Sequence, residues 1–165
     1  MSPVNYRIRN FSRREYNCRI KGDTMLKFLL PVDGSDTSNK AVAEFIKLLD
    51  WYRKAPEIHL LNVQFPQHGN VTLFIDKESI NLYHQEEGMK GLKAARDLLG
   101  LAGIACQFHI TVGNPEEMIT RYAKEMGFDQ IVIGPRGLGV VKGLLLGSVA
   151  SKVMQLSTVP VLLIK

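Results

Sequence analysis

Five glycines fall between Gly134 and Gly147 in the stretch GPRGLGVVKGLLLGSVAS, and Ser148 follows the last of them. Arg136 and Lys142 place positive charge in the same stretch. Glycine permits positive φ and lets a ligand approach the backbone without a Cβ in the way. A helix opening at Ser148 would present the N–H groups of Ser148, Val149 and Ala150, which lack partners within the helix. The helix dipole favours an anion at that end, and the Ser148 hydroxyl adds a donor. Arg136 could reach a phosphate from the side. The chemistry implied is anion binding. The blander reading is turn glycines and a plain helix cap. Against it, Val140, Val141 and Leu144–Leu146 suit a loop that packs down rather than a solvent-swept linker.

Two familiar phosphate motifs fail on spacing. A P-loop needs Gly-Lys-Ser/Thr after four spacer residues, and Gly147-Ser148-Val149 has no lysine. A dinucleotide fingerprint needs GxGxxG in the first strand–helix turn. Here Gly137-Leu138-Gly139 is followed by Gly143, one residue too late, and the loop follows a fourth strand.

The elements that must position this loop are legible around it. MLKFLLPV (Met25–Val32) is a continuous apolar run, as a strand buried on both faces requires. It ends in DGSDTS, whose Ser35, Asp36, Thr37 and Ser38 are helix caps. Apolar residues from Ala41 to Leu49 recur at helical spacing, so a helix is expected from Ser38 to about Arg53. EIHLLNV (Glu57–Val63) reads as the second strand. Phe65 to about Leu82 has no steady period and is expected to be a mobile excursion with a short helical piece. Helical spacing resumes from His84 to Leu101, and Gly103 marks the end. Ala105–Val112 reads as the third strand. Asn114 caps the next helix, with Pro115 in its first turn and Glu116 and Glu117 near the positive end of its dipole. Asp129–Ile133 is the fourth strand. A helix from about Ser148 to Leu156 and a strand from Pro160 to Ile164 close the chain. Strand–helix alternation with short connections predicts a parallel sheet with helices on both faces.

The chain has 165 residues, 45% hydrophobic and 22% charged, which suits one compact domain and argues against global disorder. No apolar run is long enough to span a bilayer, and none near the N-terminus resembles a secretory signal. Cys18 and Cys106 do not make a disulfide framework. Cys106 reads as a small packed hydrophobe in a reduced, cytoplasmic protein. The formal charge of +5 is concentrated at one end. Residues 1–24 hold six basic and two acidic groups, so the remainder is nearly neutral. Residues 1–24 are expected to be a disordered basic extension, and residues 25–165 the folded domain. A general nucleic-acid surface is not expected of so neutral a domain.

Gly134-x2-Gly137-x9-Gly147-Ser148 resembles the nucleotide-binding motif of the universal stress proteins, G-x2-G-x9-G-[S/T]. The resemblance runs from Met25 to Lys165, through LLPVDGSDTS, HLLNV, VGNPEEMITRYA, DQIVIGPRG and STVPVLLIK in order. It implies a three-layer α/β/α, Rossmann-like fold of the adenine nucleotide alpha-hydrolase type. The five parallel strands would lie in the order 3-2-1-4-5. Such an order places a ligand crevice outside the carboxyl ends of strands 1 and 4. Pro31, Val32 and Asp33 would line its adenosine end, and Val63 would offer main-chain groups to the adenine edge. Ile133, Gly134, Arg136 and Gly137 would pass near ribose and phosphates. Gly147, Ser148 and Val149 would hold the phosphates. Gly139 and Gly143 lie outside the motif and read as turn residues. This sequence departs from the pattern at Asn62, where His is usual, at Pro135-Arg136, and at Ala150, where some ATP-binding members have a hydroxyl.

The implied ligand is ATP, AMP or ADP, with Mg²⁺ held through phosphate oxygens near Asp33. The implied role is that of a nucleotide-binding regulator of stress response. Family members range from slow ATP hydrolysis to apparently none, and no catalytic residue is assigned; weak ATPase activity is the most that is expected. The alternatives are a slow ATPase or nucleotide switch, a protein-interaction module without nucleotide, and an electron-transfer-flavoprotein-like domain. The apolar last strand, Val159–Ile164, would lie at a sheet edge, where an unpaired strand invites association. A homodimer through that strand is therefore expected, with a protein partner still to be identified.

Overall fold

The computed structural model describes residues 25–66, 76–137 and 146–165. Expectations for residues 1–24, for Gly139, Lys142 and Gly143, and for the apolar residues 140–145 lie outside the described residues. Five strands form one sheet: β1 (Lys27–Pro31), β2 (Glu57–Gln64), β3 (Cys106–Val112), β4 (Gln130–Ile133) and β5 (Val161–Leu163). Their order is β3-β2-β1-β4-β5, and every pairing is parallel. The helices are α1 (Asp36–Leu48), α2 (Lys77–Leu101), α3 (Pro115–Glu125) and α4 (Ser148–Leu156), with a 3₁₀ turn at Leu49–Trp51 after α1.

Alternating side chains of each strand feed two cores. On one face Phe28, Leu30, Ile58 and Leu60 pack with Ala41, Val42 and Phe45 of α1 and Leu92, Ala95 and Leu99 of α2. On the other, Leu29, Leu61, Ile131 and Ile133 pack with Ile119 and Ala123 of α3 and Ala150 and Val153 of α4. This is the expected three-layer arrangement. It explains why β1 and β4 read as unbroken apolar runs: both faces are covered. Cys106 is a free, half-buried thiol packed against the first core, and burial raises its pKa.

The structure departs from expectation in two helices. α1 starts at Asp36, capped by the Ser35 hydroxyl, which accepts the Ser38 N–H at 3.1 Å. The α-helix stops at Leu48 and tightens into the 3₁₀ turn instead of continuing to Arg53. α2 begins at Lys77 rather than His84, capped by the Asp76 carboxylate accepting the Ser79 N–H at 2.8 Å. Residues 77–82, expected to belong to the irregular excursion, are therefore helical. The physical reason is exposure: Glu78, Ser79, Asn81, Leu82 and Tyr83 face solvent. A helix end with most of its side chains in solvent carries little apolar period to read. Among the described residues, no helix is long and apolar enough to cross a membrane.

Candidate functional site

β1 and β4 lie side by side at the centre of the sheet, and their crossovers leave to opposite faces. A crevice is expected outside their carboxyl ends. Pro31 ends β1, and Val32 follows it, buried in the first core. Asp33 then folds back. Its Oδ1 accepts both the Ser35 N–H, at 3.1 Å, and the Ser35 hydroxyl, at 2.7 Å. This Asx-type turn fixes the carboxylate at the end of β1. Gly34 completes the turn at φ 82°, a conformation that costs a side chain dearly.

From β4, Ile133 is buried in the second core, and its carbonyl accepts the Ile164 N–H at 3.0 Å. Ile133 thereby places Gly134 at the carboxyl end of β4. The three motif glycines each meet a different obstacle. A Cβ on Gly134 would stand 3.2 Å from Ala41 Cβ and 3.3 Å from the Thr37 carbonyl oxygen of α1. A Cβ on Gly137 would overlap the Asp33 carboxylate. A Cβ on Gly147 would lie 3.3 Å from both Arg136 Cα and the Pro135 carbonyl oxygen. Positive φ was one expected use of these glycines, but none of the three adopts it; the close approach of neighbours is what excludes a side chain.

Gly147 N–H donates to the Pro135 carbonyl at 2.7 Å, which clamps the start of α4 onto the Pro135–Gly137 segment. Gly147 is the N-cap of α4, and among the described residues no side chain caps that helix. Ser151 N–H is the amide that bonds back to the Gly147 carbonyl, at 3.0 Å. The amides of Ser148, Val149 and Ala150 therefore have no in-helix acceptor. Ser148 is exposed, Val149 half-buried and Ala150 buried. The first turn of α4 carries no acidic residue to oppose an anion. Asp33, Gly134, Arg136, Gly137 and Gly147 thus form one continuous wall, with Ser148 and Val149 at its α4 end.

Next to the start of α4, Glu116 at the start of α3 is buried and accepts Lys152 Nζ from α4. That hydrogen bond is the main reason its carboxyl sits below its ordinary pKa, despite the opposing effect of burial. The pair ties α4 to α3. On the same side of the sheet, Glu57, His59 and His109 form a chain. His59 Nε2 lies 2.8 Å from Glu57 Oε1, and its Nδ1 lies 2.9 Å from His109 Nε2. The two imidazoles are nearly parallel, with centroids 5.1 Å apart. So short an N···N contact with so long a centroid distance means the rings meet end to end in one plane. Spacing along the chain gave no hint of this pair, because its members sit on neighbouring strands 50 positions apart.

A divalent cation was expected through phosphate oxygens near Asp33. Among the described residues, no group of three or more His, Cys, Asp or Glu side chains converges as a metal site. The carboxylate of Asp33 suits a hard cation that takes its other ligands from phosphate and water.

These features define a doubly wound α/β protein whose motif glycines gather at the carboxyl ends of β1 and β4, its topological switch point. The chain belongs to the universal stress protein family, whose family model matches residues 25–165. Universal stress protein YxiE of Bacillus subtilis is 33% identical over 154 residues, covering 84% of this chain and 98% of that protein. The solved structure of MJ0577 from Methanocaldococcus jannaschii is 31% identical, with a TM-score of 0.70, covering 85% of this chain and 95% of that one. A universal stress protein solved in complex with cAMP is 25% identical, with a TM-score of 0.63, covering 85% and 97%.

Proposed function

We propose that this protein binds an adenine nucleotide in the crevice between β1 and β4 and acts as a nucleotide-responsive regulator in stress response. The observation that carries this reading is the packing of Gly137 onto Asp33 and of Gly147 onto Arg136. It joins a carboxylate, suited to ribose or adenine donors, to an uncapped helix start suited to phosphate. The solved relative in complex with cAMP supports an adenine nucleotide as the ligand class.

On this reading Pro31, Val32 and Asp33 form the adenosine wall, and the Asp33 carboxylate accepts from ribose hydroxyls. Val63 supplies main-chain groups to the base. The amides of Ser148 and Val149 and the Ser148 hydroxyl hold phosphate oxygens, where the α4 dipole adds its attraction. Arg136 supplies charge from the side. Mg²⁺ would neutralise part of the phosphate charge beside Asp33. ATP, ADP and AMP are the candidate ligands, in a cytoplasmic homodimer formed through β5.

The test is to denature purified protein and weigh the small molecules released, then titrate ATP, ADP and AMP by calorimetry. An adenine nucleotide in near-stoichiometric yield, or saturable binding of one of the three, is the expected result. No released nucleotide and no heat of binding would overturn it, in favour of an interaction module that uses no nucleotide.

A further inference from the structure

The Leu61 carbonyl accepts the Val32 N–H at 2.9 Å, and the Gln64 carbonyl accepts the Gly113 N–H at 2.9 Å. In a central parallel strand, alternate residues turn their main-chain groups to opposite neighbours. Leu61 therefore faces β1 and Gln64 faces the β3 side. Val63, two residues beyond Leu61, directs both its N–H and its C=O towards β1. The pairing of β1 with β2 has by then ended, at Pro31–Leu61.

The acceptor that would take the next rung from Val63 N–H is the Val32 carbonyl. That oxygen accepts from a side chain: Asn62 Nδ2 donates to it at 2.9 Å. Asn62 is 2% exposed. Its Oδ1 accepts Gln64 Nε2 at 2.6 Å, which fixes which end of the amide faces Val32. Space for the amide comes from α2, where a Cβ on Gly91 would stand 2.6 Å from Asn62 Nδ2.

We propose that Asn62 is the positioning residue that makes this cleft select adenine over guanine; the inference rests on the nucleotide-binding reading above. With the β1–β2 pairing ended at Pro31–Leu61 and the Val32 carbonyl held towards the Asn62 amide, Val63 N–H and C=O are left as an adjacent donor and acceptor. Adenine offers the complement on its Watson–Crick edge, an N1 acceptor beside an N6 amino donor. Guanine offers the reverse, an N1–H donor beside the O6 acceptor, so donor would meet donor and acceptor would meet acceptor. Such mismatches leave buried polar groups unpaired, which is how sites reject a near-isostere. Asn62 itself touches no ligand; it acts through Val32 and Val63.

The experiment compares wild type with Asn62→Leu, which keeps the approximate shape but has no donor, and with the smaller Asn62→Ala. ATP, GTP and inorganic tripolyphosphate are titrated by calorimetry, alongside thermal denaturation. Wild type is expected to favour ATP over GTP. In both variants the ATP affinity should fall about tenfold and its advantage over GTP should shrink, with tripolyphosphate binding unchanged. A general loss of structure would weaken all three ligands together. Should the Asn62 variants not fold, Gly91→Ala crowds the amide with Asn62 intact and should produce the same selective loss. Folded variants that keep the wild-type ATP-to-GTP ratio overturn the role of Asn62. A wild type that binds none of the three overturns the nucleotide reading itself, and this inference with it.

Discussion

Gly137 is pressed against the Asp33 carboxylate so closely that a Cβ at Gly137 would stand 3.2 Å from Asp33 Cγ and overlap Oδ2. Gly137→Ala should therefore destabilise the fold by about 1–3 kcal/mol through overpacking. Asp33→Ala removes the obstacle, so the double variant should recover part of that loss. Chemical denaturation of the two single variants and the double variant would reveal this as a non-additive cycle. Strict additivity would mean that the two residues do not meet.

Ser148 is exposed at the first turn of α4. Ser148→Ala should weaken ATP by about 1 kcal/mol, one hydrogen bond, and leave adenosine unaffected. Calorimetry with both ligands checks this. An equal loss for both would place the hydroxyl away from the phosphates.

Two groups predict how stability depends on pH. Burial first, and the His59 ring second, lower His109 from its ordinary value of 6.5. The fold thus favours neutral His109. Its contribution is complete above 6.5 and declines as pH falls through the lowered value. The ring faces His59 on β2 and Tyr122 on α3, and the carboxylate of Glu57 stands behind His59. Glu116 is lowered from 4.5, chiefly by its hydrogen bond from Lys152. Its contribution is present above 4.5 and is lost below that. Denaturation midpoints should therefore fall in two stages on acidification. His109→Gln should flatten the upper stage and Glu116→Gln the lower. A wild-type profile flat from about pH 7 to 5 would contradict the histidine assignment.

β5 forms one edge of the sheet, and Met154 and Leu156 near the end of α4 are exposed. If the homodimer forms through this edge, sedimentation at micromolar concentration should show a dimer. Met154→Glu should shift it towards monomer. A wild-type monomer would remove the proposal.

Much of this was readable from the sequence because each layer leaves a pattern. Strands covered on both faces gave unbroken apolar runs, and the spacing of Gly134, Gly137 and Gly147 marked the segment that packs against Asp33 and the start of α4. Interactions across the sheet left no such mark. Asn62 was visible as a departure from the family pattern. Its bond to Val32 joins residues 30 positions apart and needs the register of β1 against β2. The start of α2 was hidden for the opposite reason, since most side chains of its first turns face solvent. The use made of Gly134, Gly137 and Gly147 lay in what stands beside them, which only the assembled sheet supplies.

The separation of Asp33 from Gly137 in the chain also bears on how the protein is made. During synthesis β1, with Asp33, emerges about a hundred residues before Gly137 and the start of α4. No shortened product ending before β4 contains both walls. A ligand that needs both can bind only the completed fold, and such a ligand adds RT ln(1 + [L]/Kd) to its stability. On the nucleotide-binding reading proposed above, cellular nucleotide would protect molecules that carry both walls from proteolysis and leave those without β4 exposed to it.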